Sequence, residues 1–412
     1  MHETGILGSL RWWGEVILRS RGGSACDPSQ HKCPDNQARY CDACAFFGST
    51  GLKRSFHADW YLPGPNWSSP KNRDANKELE IKVQSNRGWY LKRGLWLGNL
   101  LSTFTVIREP SGVSPDEVVQ FLVLLLRIAS DWGGFGARTQ QGYGVVHIAT
   151  EPGLDLTQAL RAIERVQNRK DRREPAGQDL PRLDEFFFAK IRFELTDDPK
   201  DFIEKRTTEV ESPNELNWYV NNGLLPLAPI VRYHLRQLIR QHILYNGKSN
   251  APARWRLMGV LNSRYHLSDF GKVNAVLWQC SKCGQQWNKD PRRSRHQNCG
   301  GQIKEQEWEC ENCHKKWYNW RNLLKETSGI ERYKSLINIS HAYTVQEEIY
   351  EFRIWGWIPQ ELPGNVQRNT VLAKLRQWLG VSTLSDPGFQ EARSGILWML
   401  WTQKVGQILG HL

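Results

Sequence analysis

A cysteine motif that occurs twice in the second half of the chain places the narrowest limits on its fold. The segment WQCSKCGQQW (278–287) recurs thirty residues later as WECENCHKKW (308–317). Each copy has two cysteines separated by two residues and flanked by tryptophans, which is typical of a zinc knuckle. Four thiolates leave no open position on the metal, so we expect a structural zinc ribbon rather than a hydrolytic centre. The expected ligands are Cys280, Cys283, Cys310 and Cys313.

A second ligand set stays open in the same region. His296 and Cys299 lie between the two knuckles, so Cys280, Cys283, His296 and Cys299 could also surround one ion. We prefer the symmetric pair of knuckles. The basic stretch 292–295 could lie on a phosphate backbone or form a solvated loop.

Four further cysteines are close together near the start of the chain. Turn residues interrupt this stretch, and its last two cysteines form a Cys-x-x-Cys pair. No secretory signal is visible, and reduced thiols in the cytosol favour metal over disulfides. We therefore expect a second structural zinc here, with buried or reactive free thiols as the alternative. The ligands would be Cys26, Cys33, Cys41 and Cys44.

The charge of the chain points to a polyanionic partner. The 412 residues include 55 Lys and Arg and 43 Asp and Glu, which gives a net charge of +12. Nucleic acid is the polyanion that such a protein meets most often. The longest apolar run, 121–126, is far shorter than the roughly 20 residues that span a bilayer, so we expect a cytoplasmic protein without a membrane partner.

Two elements of the first half recur in the second half in the same order. The segment GILGSLRWWGEVILR (5–19) aligns with GLLPLAPIVRYHLRQLIR (223–240) when Arg11 is set on Arg232. Both read as a glycine-led turn followed by an amphipathic helix. The second pair is AFFGSTGLKRSF (45–56) and LMGVLNSRYHLS (257–268).

This recurrence predicts an internal duplication, hence two copies of one fold. In the second half, the alternating segment FFFAKIRFEL (186–195) precedes the helix and reads as a strand. The corresponding strand of the first half would lie before Met1. We therefore expect either a truncated start or a first domain that closes its sheet in another way.

A glycine-rich loop follows a well-marked helix. Ser114 is a suitable N-cap for the apolar helix 118–129, which leads into WGGFGARTQQGYG (132–144) and an expected strand at 145–148. Mononucleotide sites need the order strand, loop, helix, so this loop is not one. Its amides and Arg138 could hold a phosphodiester backbone, or its glycines could serve only a tight turn.

The histidines give little indication of catalysis. His57, His234 and His266 lie near the recurring basic elements and could assist RNA cleavage. The sequence has no His-Glu-x-x-His and no Gly-x-Ser-x-Gly motif. We therefore expect binding without catalysis.

Several of these segments resemble the RAMP superfamily of CRISPR proteins, and most closely the first-numbered subunit of type III-B Cmr effector complexes. The resemblance is carried by GSLRWWGEVILR, CDACAFFGSTGLKR and GGFGARTQQGYG, together with IVRYHLRQLIR and EFRIWGWIP in the second half. It implies an α+β protein with two ferredoxin-like (RRM-like) RAMP domains, each a four-stranded antiparallel sheet with two helices. The implied divisions are a first domain at 1–155, a basic helical linker at 156–182, and a second domain at 183–412 with the zinc ribbon inserted at 278–320.

The same resemblance implies a function in antiviral defence. The chain would be a non-catalytic RNA-binding subunit that contacts guide RNA and target RNA near the guide 3′ end, with other Cmr subunits as partners and no small-molecule substrate. The alternatives are a RAMP endoribonuclease that processes guide RNA and an unrelated zinc-ribbon nucleic-acid-binding protein. The residues expected to face RNA are Arg11, Lys53, Arg54, Gly134, Gly136, Arg138, Gly142, Gly144, Arg232 and Arg264.

Overall fold

The chain divides into two compact units. The first comprises Met1–Tyr233, Ile337–Pro359 and Leu375–Leu412, and the second His234–Leu336 and Gln360–Lys374. The computed structural model describes residues 3–26, 33–61, 78–84, 88–92, 101–136, 138–173, 180–195, 197–245, 247–259, 272–288, 302–319, 322–323, 335–379 and 392–400.

Helices and antiparallel strands alternate irregularly along the described chain, giving an α+β architecture. The helices are α1 (Glu3–Ser20), α2 (Asp42–Phe47), α3 (Pro115–Asp131), α4 (Leu156–Gln167), α5 (Pro199–Glu204), α6 (Pro213–Asn221), α7 (Ala228–His242), α8 (Ala251–Met258) and α9 (Arg368–Leu379). The strands are β1 (Phe56–Tyr61), β2 (Glu78–Lys82), β3 (Trp89–Lys92), β4 (Leu101–Val106), β5 (Phe186–Leu195), β6 (Glu209–Val210), β7 (Leu224–Leu225), β8 (Leu244–Tyr245), β9 (Lys248–Ser249), β10 (Val273–Cys280), β11 (Gln286–Trp287), β12 (Ile303–Cys310), β13 (Lys316–Trp317), β14 (Ile337–Ile339), β15 (Ala342–Gln346), β16 (Ile349–Trp357), β17 (Glu361–Leu362), β18 (Val366–Gln367) and β19 (Ala392–Leu400).

A six-stranded sheet forms the core of the first unit. Its order is β19-β5-β16-β15-β7, and β14 also pairs with β16. Strand β5 has the bounds that the sequence predicts, and Ile191 and Phe193 are buried while Arg192 between them is exposed. Helix α1 covers this sheet, with Trp13 packed on the rings of Phe186 and Phe188.

Helix α3 begins where the sequence predicts. Ser114 accepts a hydrogen bond from the Glu117 amide, and the Glu117 carboxylate accepts one from the Ser114 amide, which closes a capping box. Helix α4 packs against α3 through an apolar face that includes Ala162 and Ile163. The expected strand at 145–148 is wrong, because these residues form no regular structure after the loop.

The division of the chain differs from the sequence prediction of domains at 1–155 and 183–412. Strand β5, expected in the second domain, lies in the same unit as α1. The segment 156–167, expected in a linker, packs on α3. Both differences have one physical reason: the apolar faces of α1 and α4 must be covered, and partners distant in sequence cover them.

Two smaller sheets complete the described part of the first unit. Strands β1 and β4 form an antiparallel pair, and β2 pairs with both β3 and β6. The second unit holds a four-stranded sheet of order β11-β10-β12-β13 and the short pairs β8-β9 and β17-β18. None of the helices in the described ranges has the length and apolarity needed to cross a bilayer.

The recurrence seen in the sequence has a local structural counterpart. Helix α2 ends at Gly48 (φ +78°) and helix α8 ends at Gly259 (φ +74°), each with a carbonyl that accepts a hydrogen bond from a guanidinium. Arg11 donates to Gly48, and Arg236 donates to Gly259. The counterpart of Arg11 is therefore Arg236, one helical turn beyond the Arg232 of the sequence alignment.

Candidate metal centre and nucleic-acid interface

The four N-terminal cysteines come together as the sequence predicts. The sulfur atoms of Cys26, Cys33, Cys41 and Cys44 all lie within 4.8 Å of one another, and Cys26 Sγ is 3.6 Å from Cys44 Sγ. Zinc binds thiolates at about 2.3 Å, which places two sulfurs on one ion about 4 Å apart. Both the donor set and its spacing suit a tetrahedral Zn²⁺, and the cluster could hold one.

Hydrogen bonds stabilise negative charge on these sulfurs. The amides of Cys26 and Cys44 donate to Cys41 Sγ, and the amide of Cys41 donates to Cys33 Sγ, each at 3.4 Å. The hydrogen bond with the Cys26 thiol lowers the pKa of Cys41 to about 7 and also lowers the pKa of Cys33. Contacts among the same thiols raise the pKa of Cys26 and Cys44, so the negative charge is concentrated on Cys33 and Cys41. Thiolates at neutral pH are the form that binds metal.

Arg11 supports this cluster instead of facing solvent. Its guanidinium donates to Cys44 Sγ at 3.3 Å, to the Gly48 carbonyl at 2.9 Å and to Glu15 at 2.9 Å. Burial acts to lower the pKa of Arg11, but Cys44 and Glu15 outweigh it and the pKa is raised, so the guanidinium stays charged. The assignment of Arg11 to RNA contact is therefore corrected, since its donors are used inside the protein.

A buried carboxylate fixes the backbone of the Cys41–Cys44 turn. Asp42 is fully buried and accepts hydrogen bonds from the Ser24 amide at 2.7 Å and from Arg172 at 3.1 Å. Arg169, also buried, lies 3.4 Å from the same carboxylate. Arg169 and Arg172, which follow α4, are therefore structural partners of the cysteine cluster.

The glycine-rich loop 132–144 approaches its neighbours too closely for larger residues. A Cβ on Gly144 would lie 2.1 Å from the Phe135 carbonyl oxygen, and one on Gly142 would lie 2.6 Å from the ring of His341. Gly142 and Gly144 also have φ of +99° and +90°, a region that favours glycine. These glycines serve a tight turn, one of the two interpretations that the sequence leaves open.

Several amides of the loop are already used within the first unit. The Gly136 amide donates to Ser9 Oγ and the Phe135 amide to the Gly144 carbonyl, both at 2.8 Å. Trp13 Nε1 donates to the Gly134 carbonyl at 3.3 Å. Of the expected loop contacts, Arg138 is the exposed cation, so its side chain is available to a phosphate.

Arg232 lies beneath this loop and not on the surface. It is only 5 % exposed, and its guanidinium donates to the carbonyls of Gln140 at 3.0 Å and Ile337 at 3.1 Å. It therefore ties the loop to strand β14. The expectation that Arg232 contacts RNA is corrected on this ground.

Two loops reach opposite sides of the first half of α1. Ser9 accepts from the glycine-rich loop, and Arg11 donates to the turn at Gly48. At about 100° per residue these two positions face opposite flanks of the helix. Gly8 and Trp12 lie between them on the remaining side, and both are exposed. We call this exposed stripe the α1 face.

The side chains bordering the α1 face are basic. Arg138 lies on one bordering loop, while Lys53 and Arg54 lie beyond Gly48 on the other. Lys53 is exposed, and Arg54 is half-buried, with its guanidinium carbon 5.9 Å from the centre of the Phe56 ring. The structure therefore places three of the expected RNA contacts on loops that share one helix.

The knuckle cysteines of the second unit do not come together as one set. In the described residues, the one group of three or more ligand atoms is the N-terminal cluster. The register of β10 and β12 sets Cys280 opposite Ile303 and Cys310 opposite Val273, at the two ends of the ladder. The expectation of one site shared by all four knuckle thiolates is corrected by this geometry. Arg264, His266, His296, Cys299 and the basic stretch 292–295 lie outside the described residues.

Some functional side chains carried no sequence signal. Arg108 donates to the Lys53 and Ala45 carbonyls and so fixes the turn that follows α2. The Ser9 hydroxyl accepts from the Gly136 amide, and the backbone N–H of His341 donates to the Gly142 carbonyl, so both residues hold the glycine-rich loop. These roles depend on contacts between distant segments, which single-sequence patterns do not reveal.

Part of the chain matches a family of known proteins. The model of the RAMP superfamily matches residues 1–147, a segment that includes α1, the cysteine cluster, α3 and the glycine-rich loop. No curated protein and no solved structure matches the chain. The resemblance inferred from the sequence is thereby confirmed for this segment at the level of the superfamily.

Proposed function

We propose that the chain is an RNA-binding subunit of a CRISPR effector complex, and that the α1 face with its bordering loops binds the RNA backbone. The RAMP match of residues 1–147 supports the class. The observation that carries the site is the placement of Arg138 on one side of the α1 face and of Lys53 and Arg54 on the other.

The chemistry of this surface suits single-stranded RNA. Arginine and lysine bind phosphates, and exposed aromatic rings stack on bases. Trp12 is 37 % exposed while part of its ring packs on Phe186. A methyl group placed on Gly5 or Gly8 would have no neighbour within 4 Å, so there is open space beside Trp12.

The finer assignment follows from the sequence resemblance. We propose a cytoplasmic, non-catalytic subunit of a type III-B Cmr complex that contacts guide and target RNA near the guide 3′ end. Base pairing would read the sequence in such a complex, while this protein would hold the backbone. Little sequence preference and a steep salt dependence are expected.

Sequencing of RNA that co-purifies with the protein from its host tests the class. Fragments of CRISPR guide RNA, enriched for their 3′ portion, are the expected result. The matched control is the variant Arg138→Ala with Lys53→Ala and Arg54→Ala, which should lose this RNA while remaining folded. Folded wild-type protein that carries no guide fragments would argue against the proposal.

One observation favours a second candidate, a metal-independent ribonuclease. His57 Nε2 lies 3.0 Å from Asp59, His57 Nδ1 lies 3.4 Å from Arg54, and the His57 side chain is half exposed. A histidine held by a carboxylate can act as a general acid or base. Incubation with repeat RNA in EDTA separates the two candidates: specific cleavage that His57→Ala abolishes would establish the ribonuclease.

A further inference from the structure

The two knuckles of the second unit are related by a local two-fold axis. Val273 and Ile303 begin β10 and β12, and Cys280 and Cys310 end these strands as the first cysteine of each motif copy. In the antiparallel ladder of β10 and β12, Val273 lies opposite Cys310 and Cys280 lies opposite Ile303. Each copy therefore pairs with the other head to tail.

This pairing separates the knuckles by the length of the ladder. From Ile303, the partner of Cys280, strand β12 runs seven residues to Cys310, which at about 3.4 Å per residue is roughly 24 Å. Two thiolates on one zinc ion lie about 4 Å apart. One ion cannot bind both pairs within this module.

Each knuckle nevertheless has the same backbone turn. Gly284 N–H donates to the Cys280 carbonyl and His314 N–H donates to the Cys310 carbonyl, both at 3.0 Å. Gly284 has a φ of +73° and His314 one of +59°. A left-handed conformation is uncommon for a histidine, so the second copy keeps the turn without the residue that favours it.

The residue just before each of these two strands is hydrogen-bonded to the knuckle of the other copy. Ser281 N–H donates to the Gln302 carbonyl at 2.9 Å, and Glu311 N–H donates to the Lys272 carbonyl at 2.9 Å. Zinc needs four ligands, so each cysteine pair must be completed by two further donors.

We propose that this module binds two zinc ions, one on the pair Cys280 and Cys283 and the other on the pair Cys310 and Cys313. The proposal rests on the two cysteine pairs and on the ladder that separates them, and it is independent of RNA binding. In each pair the first cysteine is buried and the second is exposed, so both pairs present the same environment to a metal. Together with the N-terminal cluster, the chain would carry three zinc ions.

Metal analysis of the purified full-length chain tests this count. Replacing Cys280 and Cys283 by Ser should remove one zinc, replacing Cys310 and Cys313 should remove a different one, and the quadruple variant should lose both. Lys304→Ala, an exposed position on the same ladder, should keep all the zinc. If each pair and the quadruple variant lose the same single ion, the two pairs share one site and the proposal is overturned.

A measurement on the wild-type protein counts the metal sites without relying on the folding of the knuckle variants. Wild-type protein reconstituted with ¹¹³Cd should give three cadmium resonances. The variant with Cys41 and Cys44 replaced by Ser should keep the two from the module. Two resonances in the wild type, with only one left in that variant, would contradict the proposal.

Discussion

The guanidinium of Arg11 donates a hydrogen bond to the sulfur of Cys44 across 3.3 Å. This contact joins helix α1, which carries the proposed RNA-binding face, to the cysteine cluster at the start of α2. Arg11 also holds the Gly48 carbonyl at the end of α2. A metal on the cysteines would therefore fix the position of the turn that leads to Lys53 and Arg54.

Replacing Arg11 by Gln should weaken zinc binding at the N-terminal cluster. The change removes a cationic donor from Cys44, and partners of this kind typically change metal affinity by about 10- to 100-fold. We expect zinc release to a chelator to be faster by about tenfold. The rate can be followed with a coloured zinc indicator.

Arg19→Gln is the matched control for this variant. Arg19 also pairs with Glu15, at 3.3 Å, but its guanidinium donates to Glu15 and to the Pro181 carbonyl and not to a cysteine. Both variants should lose stability, yet only Arg11→Gln should accelerate zinc release. Equal release rates in the two variants would show that Arg11 acts only on the fold.

Gly142→Ala should destabilise the first unit more than Gly136→Ala. Both glycines have positive φ, +99° and +93°, so both substitutions incur backbone strain of about 1–2 kcal/mol. The Cβ at 142 also collides with the ring of His341, whereas nothing lies within 4 Å at 136. Overpacking of this kind costs a further 1–3 kcal/mol or so. Denaturant unfolding measures the difference, and equal losses would show that the loop does not rest on His341.

The buried imidazole of His341 should make stability depend on pH. Burial lowers the pKa of His341 to about 3, below its ordinary value of 6.5, so the folded state holds the ring neutral. The unfolded chain takes up a proton that the folded chain does not, so stability is lost as the pH falls below about 6.5. Between about pH 7 and pH 5.5 the loss from this one group is about 1.3 kcal/mol.

His341→Phe should remove this contribution. The ring lies among Tyr143 and Tyr219, at centroid distances of 5.2 and 6.2 Å, so an aromatic replacement keeps similar contacts. The free energy of unfolding of both proteins should be measured at pH 7 and pH 5.5, with zinc in excess. If the free energy of unfolding of the wild type falls between pH 7 and pH 5.5 by no more than that of the variant, His341 is not the source of the pH dependence.

Sequence reasoning succeeded where the determining interactions are local. The capping box of Ser114 and Glu117 and the alternation along β5 depend on neighbours a few residues away. The N-terminal cysteines are also close in sequence, and their clustering could be predicted for that reason.

Sequence reasoning failed where contacts between distant segments decide the position of a side chain or the register of a strand pair. A basic residue on an amphipathic helix gives no sign of whether it faces solvent, and Arg232 is buried because Gln140 and Ile337 offer carbonyls to it. The knuckle motif likewise does not specify its pairing register. That register, set between β10 and β12, decides whether the cysteines share an ion.

The central claim is that cations on both sides of the α1 face hold an RNA backbone. The direct measurement is the salt dependence of single-stranded RNA binding by the variant with Lys53, Arg54 and Arg138 all replaced by Ala. Each lost phosphate contact lowers the slope of log K against log salt by about 0.7, so the slope should fall by about 2. The matched control replaces the exposed Arg161, Lys170 and Lys205, which removes the same charge from elsewhere in the first unit.

A slope that falls by about 2 in the first variant and by much less in the control is the predicted result. Equal slopes in wild type and the first variant, or an equal fall in both variants, would contradict the claim that RNA binds at the α1 face.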